Sequence, residues 1–138
     1  MEKLLKIPYA VFNDWDQLQQ FLERRDNPRY ELAGYVDLAE QEDIFDLGNL
    51  VRVDGDLDLQ GTPIKSLGNL QYVGGDLHLA DTPIQSLGNL EYVGNYLFLY
   101  GTLIKSLGNL EDVGDTIYLS KNHQIPKEQL TKFKIEYW

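Results

Sequence analysis

Two consecutive stretches decide the fold: residues 67–86 read LGNLQYVGGDLHLADTPIQS, and residues 87–106 read LGNLEYVGNYLFLYGTLIKS. The same pattern begins at residue 47 and again at residue 107, so the period is 20 residues. Six positions of the repeat are apolar: the two leucines of LGNL, a valine, two residues of an alternating pair and an isoleucine. These are too few to form a core within one unit. Each unit must therefore bury them against the next, as in a solenoid.

The pattern within one unit predicts two short strands and no helix. Residues 75–80 (GDLHLA) alternate polar and apolar, which is typical of a half-buried strand with its leucines inward and Asp76, His78 and Ala80 outward. Residues 70–73 (LQYV) predict a second, shorter strand, and Gly–Gly and Thr–Pro pairs indicate turns. We expect successive coils to pair as parallel strands about 4.8 Å apart, wound in the right-handed sense.

Polar residues also recur with the period of the repeat. The asparagine of LGNL is predicted to face inward or into a corner and to bond backbone groups of the neighbouring coil, because buried turns must satisfy their polar backbone. This column consists of Asn49, Asn69, Asn89 and Asn109. The recurring threonines and serines of the Thr–Pro–Ile–x–Ser segment invite the same interpretation.

The sequence predicts one mainly β domain over residues 1–138, a right-handed parallel β-solenoid of about four to five coils. Residues 1–33 are predicted to form an N-terminal helical cap, with a helix from about Asp14 to Arg25. Residues 34–125 hold the repeats, the first of them degenerate. Residues 126–138 are predicted to form a second cap, with a short helix starting at Pro126 and a closing strand in KIEYW.

The pattern LGNLxxVGGDLxLxxTPIxS resembles the short leucine-rich, β-helical repeats of receptor L-domain-like proteins. It also resembles the VGGDLxL…GTPI repeats of uncharacterised phage and bacterial proteins. The resemblance covers residues 34–126 and implies a leucine-rich-repeat, L-domain-like fold. It further implies binding or scaffolding rather than catalysis, and it brings no functional residues with it.

The charge of the chain bears on its partners. The formal net charge is −10, and residues 30–120 carry fifteen acids against three bases, a net of −12. Such a field repels phosphate backbones, which argues against direct nucleic-acid binding and suits a basic partner. The chain has no cysteine, no apolar run long enough to span a membrane and no signal-peptide pattern. We therefore expect a cytoplasmic protein without membrane contact.

Few residues could carry catalysis or hold a metal. Only His78 and His123 could act as a base at neutral pH, and neither has a nucleophile-plus-acid context, so we expect no enzyme and no cofactor. Alternation places Asp54, Asp56 and Asp58 on one face, within reach of Ca²⁺, but the spacing fails the EF-hand pattern. The favoured interpretation is a solvated acidic strand edge without a metal.

The outward positions of the main strand vary from coil to coil while the core positions repeat. These outward columns are acidic in the early coils and aromatic in the later ones, which predicts an exposed patch of Tyr96, Phe98, Tyr100 and Tyr118, rimmed by Asp76 and Glu111. Exposed aromatic clusters usually mark a contact surface for a partner or a second copy. The alternatives are that the rings only stack along the ladder, or that an end segment covers them.

These features favour a non-enzymatic protein-binding module that presents an acidic and aromatic face to a macromolecular partner. The predicted partner-binding residues are Tyr96, Phe98, Tyr100, Tyr118, His78, Asp54, Asp56, Asp58 and Asp76. The partner would be a basic or nucleic-acid-binding protein, and a homodimer through the aromatic patch is a further expectation. Two alternatives remain: an acidic nucleic-acid mimic that inhibits a nucleic-acid-handling enzyme, such as a phage-encoded anti-defence protein, and a glycan-binding module.

Overall fold

The structure, a computed structural model, describes residues 4–138 as a parallel β-solenoid of about five turns. One α-helix, α1 (Trp15–Glu23), lies near the N-terminal end, and 3₁₀ turns span Tyr9–Val11 and Lys127–Gln129. In chain order the strands are β1 (Leu5–Pro8), β2 (Tyr30–Ala33), β3 (Val36–Asp37), β4 (Leu50–Val53), β5 (Leu57–Asp58), β6 (Tyr72–Val73), β7 (Leu77–His78), β8 (Tyr92–Val93), β9 (Leu97–Phe98), β10 (Asp112–Val113), β11 (Thr116–Leu119) and β12 (Lys134–Tyr137).

The strands form two six-stranded sheets in which every pairing is parallel. The first sheet has the order β1-β2-β4-β6-β8-β10, and the second has the order β12-β11-β9-β7-β5-β3. The register between repeats advances by 20 residues, so that Leu77 faces Leu97. The backbone N–H of Leu77 donates to the carbonyl of Tyr96 at 2.9 Å. The predicted parallel β-solenoid is confirmed, whereas its handedness stays a prediction.

The hydrophobic core runs along the inside of the stack between the two sheets. The leucines and isoleucines of the repeat are fully or almost fully buried, including both leucines of LGNL and both inward residues of the alternating segment of each repeat. Because a side chain in one coil lies directly above its counterpart in the next, the apolar columns exclude water only when several coils are stacked.

The N-terminal segment contains more β structure than the sequence pattern predicted. Helix α1 begins one residue after the predicted start and ends at Glu23, and Asp14 caps it by accepting the N–H of Gln17 at 2.9 Å. Its residues Trp15, Leu18 and Leu22 belong to the core. Strands β1 and β2 extend the first sheet by two positions, so residues 4–33 are a helix plus two strands rather than a helical cap alone.

The C-terminal segment also differs from the prediction. In place of a second helix there is a three-residue 3₁₀ turn that buries none of its own residues. Pro126 precedes this turn, and Leu130 just after it is buried. Strand β12 pairs with β11 in parallel, which confirms the closing strand.

The recurring asparagines and threonines form hydrogen bonds, but only some of these bonds reach the backbone of the neighbouring coil as predicted. Asn69, Asn89 and Asn109 are exposed at the corners rather than turned inward. The Asn89 amide nitrogen donates to the carbonyl of Gly68 in the neighbouring coil at 3.2 Å, whereas the Asn69 amide nitrogen donates to the amide oxygen of Asn49. The threonine hydroxyls donate within their own coil, as Thr82 does to the carbonyl of Leu79 at 2.8 Å.

Candidate functional site

The most distinctive surface of the molecule is a cluster of aromatic side chains on the outer side of the second sheet. Strands β7, β9 and β11 supply it because their outward positions carry rings while their leucine and isoleucine neighbours face the core. Residue 138 joins the cluster from the end of β12. We call this surface the aromatic face and define it as His78, Tyr96, Phe98, Tyr100, Tyr118 and Trp138.

The rings of the aromatic face are stacked along the solenoid axis. The Phe98 ring lies between those of His78 and Tyr118, with centroids 4.6 Å and 5.1 Å away and interplanar angles of 24° and 8°. Tyr100 stacks in the same way on Trp138, at 5.0 Å and 14°. His78, Phe98 and Tyr118 stand directly above one another in the parallel ladder, so their ring faces meet each other and their edges point to solvent.

The structure thus brings together the four predicted rings and His78. Both alternative interpretations have a counterpart in the structure: the rings stack along the ladder, and Trp138 of the last segment lies on Tyr100. The stacked rings from His78 to Tyr118 remain partly exposed, and Trp138 is 70% exposed although it lies on Tyr100. The face is therefore ordered by ring stacking and still partly exposed to solvent.

Trp138 was missed as a component of this surface. Its signal lay in the alternation of residues 134–138: if β12 pairs with β11, residues 134, 136 and 138 share the outward side with Tyr118. Two residues expected on the outward side are buried instead. Ala80 is fully buried, since its short side chain lies in a column between the larger Gln60 and Tyr100, and Thr116 is 2% exposed.

The acidic residues beside the aromatic face also stabilise the backbone. A carboxylate oxygen of Asp56 accepts the N–H of Asp76 one coil later at 2.7 Å, and Asp76 accepts the N–H of Tyr96 at 3.0 Å. Asp58 accepts the N–H of Gln60 at 3.0 Å. We call Asp56 and Asp76 the acidic column: each uses one carboxylate oxygen to link successive coils and carries negative charge to the surface, whereas Asp58 bonds within its own coil.

Asp54 lies apart from Asp56 and Asp58. The expectation that alternation would put all three on one face is wrong, because the chain turns at Gly55 from the first sheet to the second. Asp54 is paired at 3.1 Å with the Lys6 ammonium and at 3.0 Å with the Arg52 guanidinium. The hydrogen bond from Arg52, followed by that from Lys6, lowers the pKa of the Asp54 carboxyl. Within residues 4–138, no three acidic or histidine side chains converge in a way that could hold a metal ion.

The electrostatic surroundings of the aromatic face are negative. The neighbouring Asp115 carboxylate is the main cause that raises the pKa of the Tyr96 hydroxyl. Burial raises the pKa of the Tyr100 hydroxyl, and the Asp81 and Asp58 carboxylates add to the effect. A shallow depression of about 150 Å³ adjoins the face where Tyr35, Asp58 and Asp76 surround His78. The Nδ1 atom of His78 is buried there without a hydrogen-bond partner.

The first sheet carries a smaller outward column that the sequence analysis did not single out. Tyr72 and Tyr92 stack at 4.7 Å and 11°, and the Arg52 guanidinium lies 3.6 Å from the Tyr72 ring centroid. His123, the other histidine considered as a base, lies in the last corner. Its Nδ1 accepts the N–H of Ile125 at 3.1 Å, and its ring stacks on Tyr137.

Comparisons with protein-family models, with curated proteins and with solved structures found no match to this chain. The likeness to L-domain-like repeats therefore remains an interpretation of the repeat pattern. Over residues 4–138, none of the helical structure combines the length and the apolar character that a membrane span needs.

Proposed function

We propose that the chain is a non-enzymatic protein-binding module that contacts its partner through the aromatic face and the adjoining acidic column. The observation that carries this proposal is the continuous set of partly exposed rings from His78 to Trp138 on the outer side of one sheet. The leucine columns already fill the interior, so folding does not demand aromatic residues at these outward positions.

The orientation of the rings, which expose their edges rather than their faces, favours a protein partner over a glycan. A sugar stacks on an open ring face, but both faces of Phe98 are occupied by His78 and Tyr118. The stacked rings offer their edges, together with tyrosine hydroxyls that can donate and accept hydrogen bonds. Such half-buried aromatic groups are enriched at the centres of protein–protein interfaces.

The charge around the face favours a partner with lysine or arginine at the contact. Asp58, Asp76, Asp81 and Asp115 lie beside the rings. A cationic side chain could pair with a carboxylate at the rim and lie against a tyrosine ring at the same time. We therefore propose a basic protein, with nucleic-acid-binding proteins as the leading class.

We also propose that α1 and the segment after β11 act as caps. The open ends of a solenoid expose the apolar edges of its first and last coils. Leu18 and Leu22 of α1 are buried in the core near one end, and Ile125 and Leu130 are buried near the other. In this interpretation the caps cover the apolar ends of the core, and the outer face of the second sheet is the surface that binds the partner.

The double variant Phe98→Asp/Tyr118→Asp should abolish partner capture from a native host lysate. Burying the exposed parts of two or three rings is worth roughly 2–4 kcal/mol, and an added carboxylate would oppose that burial. The matched control is Tyr72→Asp/Tyr92→Asp, which disrupts a stacked pair of similar geometry on the first sheet. Capture would be compared by quantitative mass spectrometry, with circular dichroism to show that both variants are folded.

The proposal requires that the two double variants differ in capture. If the first-sheet variant loses the partner and the second-sheet variant keeps it, the aromatic face is not the binding surface. If both keep the partner, the rings of both sheets serve only to stack on each other.

A second candidate function, an acidic mimic of nucleic acid, is favoured by one observation. Asp37 and Asp58 are register partners in the second sheet, and Asp56 and Asp76 extend the negative charge along the same side. A surface of this kind would bind the nucleic-acid groove of an enzyme through its charge, and so inhibit that enzyme.

The mimic hypothesis predicts that Asp56→Asn/Asp58→Asn/Asp76→Asn weakens partner binding and flattens its dependence on salt, because screening acts over about 8 Å at 0.15 M ionic strength. Asparagine keeps the oxygen that accepts the backbone N–H, so folding should be little affected. The control Glu23→Gln/Glu91→Gln/Asp112→Asn removes the same charge from other parts of the chain. Titrations at several salt concentrations would measure both; binding that is insensitive to salt and to the first triple variant excludes the mimic.

A further inference from the structure

Strand β12 leaves an open sheet edge that differs from the other edges within residues 4–138. Each sheet of an open stack has two edges, here formed by β1 and β10 in the first sheet and by β12 and β3 in the second. Strands β3 and β10 are two residues long, and β1 ends on Pro8, which are common ways of protecting an edge. Strand β12 has four residues and no proline.

The backbone of β12 is oriented to accept another strand. The N–H of Trp138 donates to the carbonyl of Leu119 at 2.8 Å, so residue 138 directs its N–H toward β11. Successive residues of a strand direct their N–H and C=O groups to opposite sides. Residues 134 and 136 therefore also bond toward β11, while Ile135 and Tyr137 direct their backbone groups toward the open edge.

The side chains of β12 are self-complementary in only one antiparallel register. If two copies pair about a two-fold axis at Ile135, the two Ile135 residues exchange both hydrogen bonds, and Lys134 lies opposite Glu136 of the second copy. Lys134 and Glu136 form a non-hydrogen-bonded pair, in which the side chains are close and the Cα atoms lie about 4.5 Å apart. Shifting the axis by one residue would place Glu136 opposite Glu136, or Lys134 opposite Lys134, which is unfavourable.

We propose that β12 binds β12 of a second copy in this antiparallel register and so forms a homodimer. The inner side of the strand supports the same register. Phe133, Ile135 and Tyr137 form a partly exposed apolar stripe at the end of the core, and the register sets Phe133 opposite Tyr137 of the second copy. The two second sheets then become one continuous sheet, and the two aromatic faces lie on the same side of it.

Dimerisation is tested by sedimentation equilibrium over a dilution series, with the chain mass of 15.9 kDa as the monomer reference. We expect the wild-type chain to reach twice that mass. Lys134→Glu places like charges opposite each other at both symmetry-related positions, which should weaken dimerisation roughly tenfold or more. The control Lys127→Glu makes the same change in net charge on the exposed 3₁₀ turn and should dimerise as the wild type does.

Charge reversal at the partner position makes the test specific for this register. Glu136→Lys alone should dissociate the dimer, whereas Lys134→Glu/Glu136→Lys should restore it. An equal mixture of the two single variants should form a heterodimer. A wild-type chain that stays monomeric, a dimer unaffected by either single reversal, or a dimer that only Phe98→Asp/Tyr118→Asp dissociates would each overturn the proposal.

Discussion

Leu97→Ala should lower the free energy of unfolding by roughly 2–5 kcal/mol, because it leaves a cavity in the middle of the stack. Leu97 is fully buried, with Leu77 on one side and Ile117 on the other in the same column. Inter-coil hydrogen bonds hold the coils on both sides, since the backbone N–H of Leu77 donates to the carbonyl of Tyr96 and the N–H of Leu99 donates to that of Tyr118. The surroundings therefore cannot collapse far into the cavity. Urea unfolding followed by circular dichroism measures the loss.

His78→Ala, on an outward position of the adjacent coil, provides the comparison. His78 stacks on Phe98, and losing that contact should cost less than about 1.5 kcal/mol. Its Nδ1 has no hydrogen-bond partner in the fold, so the substitution leaves no polar group newly unpaired. Equal losses for Leu97→Ala and His78→Ala would contradict the assignment of inward and outward positions.

Gly94→Ala should destabilise the chain by about 3 kcal/mol, at the upper end of what an overpacked site costs. The Gly94 N–H donates to the carbonyl of Val73 at 2.8 Å, which brings the two coils into close contact. A Cβ at this position would collide with the carbonyl oxygen of Gly74. The neighbouring strands set the coil spacing, so the backbone cannot move apart at this corner alone. Thermal and urea unfolding would both show the effect.

Gly88→Ala separates this collision from the general effect of replacing a glycine. Gly88 lies in the same repeat, and a Cβ there would meet no atom within 4 Å, but its φ is +54°. An alanine in that left-handed conformation costs about 1–2 kcal/mol. If Gly88→Ala proves as destabilising as Gly94→Ala, the collision with the carbonyl of Gly74 is not the cause of the loss of stability at Gly94.

The pairing register could be predicted because the period of the sequence is the period of the structure. Residues 20 apart share a column, so Leu57, Leu77 and Leu97 had to lie in line once the coils were stacked. Positions within a strand could also be predicted, since alternation assigns alternate side chains to the core. Strands β1 and β2 precede the repeats and have no such periodic signal, and they were not predicted.

The acidic residues show where alternation stops being informative. Asp54 and Asp58 are four residues apart and would share a face if the strand continued, but Gly55 lies in a corner between them. The corner sends Asp54 to the first sheet, where Lys6 comes from a distant part of the chain to pair with it. The bond from Asp56 to the next coil was likewise not predicted, because it depends on the orientation of one carboxylate.

The repeat alone was enough to establish a parallel solenoid, its core columns and the aromatic side chains that face outward. Each of these follows from short-range spacing, because a periodic chain has few ways to bury its leucines. The composition of the aromatic face, in contrast, depended on the end of the stack. Trp138 reaches Tyr100 only because β12 returns to the second sheet beside β11. The same packing leaves the edge of β12 open, since where a chain leaves its last coil is settled by non-periodic contacts and not by the repeat.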